Sequence, residues 1–185
     1  MTALPKRKYS LEEYFEIERK SEEKFEYWNG NVWSMAGASP EHERIVVNTG
    51  AHLRESLRGR GCSVFSSNLK IKVPNYEPYR YPDLSAFCGQ GIYETMGGMK
   101  VLTNPQMLIE ILSPSTEAFD RGEKFTFYKS IESFTEYLLI ATTRPHVTQF
   151  IKQNEREWLQ REAVGLNEKL FSPTFEVEIL LAEIY

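Results

Sequence analysis

The chain has 185 residues, 41% of them hydrophobic and 13% aromatic, which suffices for one full core and is too little for several domains. Its net charge of −4 and pI near 5.5 exclude a protein that coats nucleic acid by bulk electrostatics, while leaving room for a local basic groove. Apolar runs are far shorter than the roughly 20 residues needed to cross a bilayer. The basic start Met1–Lys8 leads into the charged segment Glu12–Glu23 and not into an apolar signal core, so a cytoplasmic protein is expected.

Ser10 with Glu13 forms a capping box, and Leu11, Tyr14 and Phe15 at helical spacing predict a first helix up to about Lys20. Lys24–Met35, with β-branched and aromatic residues flanking Asn29-Gly30, predicts a β-hairpin. Ser39-Pro40-Glu41 opens a second helix whose apolar face, Val46, Thr49, Leu53 and Leu57, ends at Gly59 or Gly61. Strand-like segments follow at Cys62–Phe65, Leu69–Val73 and Tyr81–Phe87, and a glycine-bearing loop is expected between Gly89 and Pro105. Cys62 and Cys88 are too far apart for a CxxC motif and sit in apolar, strand-like settings, which predicts buried free thiols. After the strand around Met107–Leu112, a helix is expected over Thr116–Ser130. Phe134–Thr143, Val147–Lys152 and Glu157–Ala163 then form a terminal antiparallel meander, and Phe175–Ile179 adds a strand. Strands flanked by three helices, without repeat or linker, give a single α/β sandwich around a mixed sheet.

Met107-Leu108-Ile109-Glu110-Ile111-Leu112 is apolar on both faces except for one carboxylate. Such a strand lies inside a sheet, where an ionised glutamate costs several kcal/mol unless a cation compensates it. Arg121, Lys124 or a bound metal could do so. Asp83 stands at the mouth of another buried strand, and Pro82, lacking an amide proton, suits a strand start. If the two strands are neighbours, Asp83 and Glu110 converge as two hard oxygen ligands that suit Mg²⁺ or Mn²⁺ and not a closed zinc site. Taken alone, Asp83 is equally a carboxylate capping nearby amides, and Glu110 equally half of a buried ion pair. Lys124 either pairs with Asp120 along the helix face or leans back toward Glu110.

Around these residues, Pro82-Asp83 followed by Glu110-Ile111-Leu112 resembles the PD-(D/E)XK nuclease signature, in which an Asp and a Glu hold the metal and a Lys two positions after the Glu assists. More specifically, Tyr27-Trp28-Asn29-Gly30, Ala38-Ser39-Pro40-Glu41-His42, Tyr81-Pro82-Asp83, Glu110-Ile111-Leu112-Ser113-Pro114-Ser115-Thr116 and Asp120-Arg121-Gly122-Glu123-Lys124-Phe125 resemble the Uma2 family of restriction-type endonucleases, also called DUF820, abundant in cyanobacteria. The resemblance runs from the first helix to the terminal meander.

It implies one PD-(D/E)XK-like nuclease domain over residues 1–185: an α/β, restriction-endonuclease-like mixed sheet flanked by helices, with an N-terminal β-hairpin and a C-terminal antiparallel meander. It implies a metal-dependent endonuclease acting on DNA, with Asp83 and Glu110 binding Mg²⁺ or Mn²⁺. The chain departs from the general signature at Leu112, where the lysine should stand. The resemblance makes Lys124, on the following helix, its replacement, since a long stem brings an ammonium to one point from different backbones. Glu26 and His42 are candidate supporting groups. His42, at a helix N-terminus, is expected to be neutral. Lys70 and Lys72, alternating along a strand, and Tyr76, Tyr79, Arg80 and Tyr81, in a Pro-bounded loop, are candidate nucleic-acid contacts. Cutting both strands of a duplex favours a homodimer. The alternative is a non-catalytic nucleic-acid- or protein-binding module on a nuclease scaffold.

Overall fold

The computed structural model describes residues 7–34, 37–75 and 79–185. Helix α1 (Leu11–Lys20) starts at the capping box: the Ser10 hydroxyl accepts the Glu13 amide, and the Glu13 carboxylate accepts the Ser10 amide. The hairpin β1 (Phe25–Trp28) and β2 (Asn31–Ser34) turns through Asn29 and Gly30 at φ 44° and 75°, the left-handed pair that a two-residue hairpin turn needs. Met35, placed in this hairpin by sequence, lies outside the described residues. Helix α2 (Pro40–Ser56) has Ser39 as its cap, whose hydroxyl accepts the His42 amide.

The strands β3 (Cys62–Ser66), β4 (Lys70–Lys72), β5 (Tyr79–Arg80) and β6 (Leu84–Cys88) follow. The segment expected as a loop before Pro105 is instead a hairpin, β7 (Tyr93–Met96) with β8 (Met99–Leu102). Its signal was present in Gly97-Gly98, a two-residue turn with φ 56° and 86°, and α1 packs so closely on it that a Cβ at Gly97 would lie 2.6 Å from the Phe15 ring. Cys62 and Cys88 sit directly opposite each other in the antiparallel β3–β6 pair and form a disulfide, which corrects the expectation of free thiols.

Strand β9 (Met107–Leu112) leads into α3 (Glu117–Phe119), a π-helical turn (Asp120–Lys124) and α4 (Phe125–Tyr128), and the chain returns in β10 (Glu136–Ala141) parallel to β9. The helix expected over Thr116–Ser130 is thus present but interrupted by the π turn. The expected antiparallel meander is β10, β11 (His146–Lys152) and β12 (Trp158–Val164). A small hairpin of β13 (Lys169–Ser172) and β14 (Val177–Leu180) and the short α5 (Leu181–Ile184) close the chain.

The strands assemble into two six-stranded mixed sheets, ordered β2-β1-β5-β4-β8-β7 and β12-β11-β10-β9-β6-β3. Side-chain alternation along the second sheet divides the core. Met107, Ile109 and Ile111 of β9 pack with Ile45 and Leu53 of α2, whereas Leu108 and Leu112 join the cluster containing Phe125, Phe127, Tyr128 and Tyr137. No helix of the described residues is long and apolar enough to cross a membrane.

Candidate active site

Glu110 shares strand parity with Leu108 and Leu112, so its side chain enters the aromatic side of the sheet, beneath the π turn and α4. The antiparallel register that pairs Leu84 with Ile109 brings Asp83, one residue before β6, opposite Glu110. Asp83 also shares parity with Phe87, which belongs to the same aromatic cluster. Two neighbouring strands thus put both carboxylates on one face at the carboxyl end of β9.

Asp83 Oδ2 accepts the Ile111 amide at 2.7 Å and lies 3.3 Å from His42 Nε2. Glu110 Oε1 accepts the Tyr128 hydroxyl at 2.7 Å and lies 2.9 Å from Lys124 Nζ, which is itself 3.2 Å from Asp120 Oδ1. Of its two sequence-level alternatives, Lys124 therefore adopts both: it pairs with Asp120 and leans back to Glu110. The π turn buries Asp120 and Lys124 together in a stretch that exposes Glu117, Ala118 and Glu123. Single π turns recur at functional sites.

Burial pushes the Glu110 carboxyl well above the ordinary carboxylate range, and the charges of Asp83 and Asp120 push the same way against the pull of Lys124. Burial acts to lower Lys124, but Glu110 and Asp120 outweigh it and hold the ammonium charged. Burial and the facing Glu110 keep the Tyr128 phenol neutral and donating. For His42, burial pulls the pKa down, yet the hydrogen bond and charge of Asp83, with Glu43, raise it overall. The contact with Asp83 thus favours the imidazolium, the opposite direction to the helix N-terminus.

Glu26 is buried on β1, where its Oε1 accepts the Tyr81 amide at 3.2 Å and its Oε2 lies 3.4 Å from Arg80 Nη1. The Arg80 guanidinium is packed over the rings of Trp28, Phe119 and Phe127 at 5.3, 5.6 and 5.8 Å, and its Nη2 is buried without a hydrogen-bond partner. A cleft of about 720 Å³ gathers Glu26, His42, Arg80, Asp83, Glu110 and Lys124 along its lining.

Two other expected nucleic-acid contacts lie elsewhere. Lys70 is 2% exposed, ion-paired with Glu18 and set 4.5 Å over the Tyr14 ring, while Lys72 is paired with Glu94 at 2.6 Å. Burial under α1 corrects the reading of Lys70 as a phosphate contact, while Lys72, partly exposed beside Glu94, stands apart from the lining of the cleft. Tyr79 is buried in the core beneath α1, and Tyr76 lies outside the described residues. Sequence reasoning missed Tyr128 as the partner of Glu110. Its signal was helical spacing, since Tyr128 follows Lys124 by one turn and so shares its face.

Among the described residues, no three or more His, Cys, Asp or Glu side chains form a ready metal cage. The donor set nevertheless fits a hard dication. The contacts to Glu110 fall on Oε1 and those to Asp83 on Oδ2, leaving Oε2 and Oδ1 for a ligand in the cleft. Two carboxylate oxygens, with the other positions left to water and phosphate, suit Mg²⁺ or Mn²⁺, and a dication would relieve the crowding that raises Glu110.

Comparison with known proteins bears on this geometry. The model of the Uma2 family, described as "Putative restriction endonuclease", matches residues 11–182. Two relatives come from Synechocystis sp. The "Uncharacterized protein slr1290" is 35% identical over 152 residues, spanning 82% of this chain and 78% of its own length. The "Uncharacterized protein sll1609" is 33% identical over 158 residues, spanning 85% and 89%. The crystal structure of a "putative nuclease belonging to DUF820" from Anabaena variabilis superposes with a TM-score of 0.74 over 95% of this chain and 96% of that one, at 18% identity, a likeness of fold.

Proposed function

The chain belongs to the Uma2 family, and from that premise we propose a metal-dependent endonuclease that hydrolyses DNA phosphodiester bonds. Asp83 and Glu110 hold Mg²⁺ or Mn²⁺, and Lys124 assists the attacking water. The observation that carries this reading is the 2.9 Å approach of Lys124 Nζ to Glu110 Oε1. It brings an ammonium from the π turn to the carboxylate whose strand has leucine where the general signature has lysine.

A bound dication would supply acidification of a water and polarisation of the phosphate. The chain's own groups do the rest. Tyr128 and Lys124 fix Glu110 through Oε1, which leaves its other oxygen to take a ligand. The Ile111 amide and His42 fix Asp83 through Oδ2 in the same way. Lys124, kept charged by two carboxylates, positions the nucleophilic water and stabilises negative charge building on the phosphate. A binding module without catalysis has no use for two buried carboxylates around one buried ammonium, an arrangement that costs folding stability.

The test is metal removal. Supercoiled plasmid incubated with the purified protein and Mg²⁺ is expected to be nicked, with cleavage stopped by excess chelator and restored by added Mg²⁺ or Mn²⁺. Cleavage that continues at full rate in chelator would overturn the metal-dependent reading, and an inert protein with every divalent ion would overturn the nuclease.

A further inference from the structure

The form of the cleft bears on which DNA can reach the carboxylates. Glu110, Asp120 and Lys124 have side chains only 4, 5 and 8% exposed, so the reactive groups lie at the foot of a recess. A duplex presents its phosphates on a convex surface with its bases stacked inward, whereas an unpaired strand is free to bend into a recess.

The walls point the same way. Alternation in the β1–β2 hairpin sends Phe25, Tyr27 and Val32 into the core beneath α1 and turns Glu26, Trp28 and Trp33 to the cleft. Trp28 is occupied by the stacked Phe127 ring and the Arg80 guanidinium, whereas Trp33, half-buried and paired with Glu26 across the hairpin, lines the cleft. Among the described lining residues, carboxylates outnumber lysines and arginines, and Lys124 is already paired. Duplex binding rests chiefly on neutralising phosphates with such cations, and a chain of net charge −4 with this lining offers few. Unpaired strands also need cations for their phosphates, but they have a second source of affinity that a duplex lacks, bases stacking on aromatic side chains. The buried, unpartnered Nη2 of Arg80 supplies one such cation.

We propose that the substrate of this site is an unpaired DNA strand, drawn into the cleft with a base on Trp33 and a phosphate on Arg80. The proposal rests on the nuclease reading for its chemistry but not for its binding preference. A single strand also needs only one site, which removes the reason for expecting a homodimer.

Binding separates the two ideas. The Glu110→Gln protein, expected not to cleave, is titrated with a labelled mixed-sequence single strand of about 16 nucleotides and with its duplex, followed by fluorescence anisotropy. The single strand is expected to bind at least about tenfold more tightly, with a salt slope of only about one or two released ions. Trp33→Ala should weaken the single strand about tenfold, leaving the duplex unchanged. Equal or tighter binding of the duplex would overturn the proposal, as would a Trp33→Ala protein that binds the single strand normally. Cleavage by the wild-type chain is scored separately: single-strand preference without cleavage in any metal defeats the nuclease reading and leaves the unpaired-strand site standing.

Discussion

Asp83→Asn and Glu110→Gln are each expected to lower DNA cleavage by about 10³-fold or more, equivalent to about 4 kcal/mol of transition-state stabilisation. Both substitutions keep the side-chain shape and remove a charge from the pair facing the cleft, so the loss follows from chemistry and not from collapse of the sheet. Glu110→Gln carries a second signature. Because the folded-state pKa of Glu110 is raised, the wild-type protein loses stability as pH rises from the ordinary carboxylate range through that raised value. The glutamine has no such penalty. Without metal, at neutral pH, the variant should therefore be more stable than wild type by about 1 kcal/mol, the usual size for relieving a strained functional group. That advantage should vanish in acid, where wild-type Glu110 is protonated in both states. Urea titrations at two pH values, alongside a cleavage assay, measure both effects. A variant that cleaves normally would remove Glu110 from the reaction, and one less stable than wild type at neutral pH would show that the pair with Lys124 outweighs burial.

Lys124→Met is expected to reduce cleavage by at least about 100-fold and to destabilise the protein by about 3 kcal/mol at neutral pH. The stability loss arises because Asp120 and Glu110 are left buried around a missing ammonium, each within 3.2 Å of where it stood. Protonating a carboxylate relieves this, so the deficit should shrink as pH falls, whereas the missing ammonium is not replaced and cleavage stays low. Parallel recovery of stability and activity in mild acid would make Lys124 a structural counter-ion and nothing more.

The part of the site legible in sequence is the part set by local rules. An apolar strand interrupted by one carboxylate marked Glu110, and Pro82 marked the strand start beside Asp83. Their convergence required knowing that β6 lies antiparallel beside β9, a non-local pairing that stood in the sequence only as a condition, because periodicity could not supply it. The displaced lysine was assigned from the family pattern, but its reach depended on the π turn, which has no propensity signature. Lys70 shows the opposite failure. Strand alternation with Lys72 suggested a phosphate-facing row, yet Lys70 points beneath α1, where Glu18 meets it. Which face of a strand is buried depends on what covers it, and a three-residue strand has too few apolar neighbours to declare that face. Tyr79 went the same way, into the core beneath α1. The disulfide likewise depended on the register of β3 against β6, which places Cys62 opposite Cys88 although they are 26 residues apart.

The central claim is that Asp83 and Glu110 together hold a divalent metal at the floor of the cleft. Calorimetric titration of the metal-free protein with Mn²⁺ tests it most directly. Wild type is expected to bind the ion in the cleft, and Asp83→Asn and Glu110→Gln should each weaken that binding by at least about tenfold, since each removes one of only two carboxylate ligands. Undiminished Mn²⁺ affinity in either variant would contradict it.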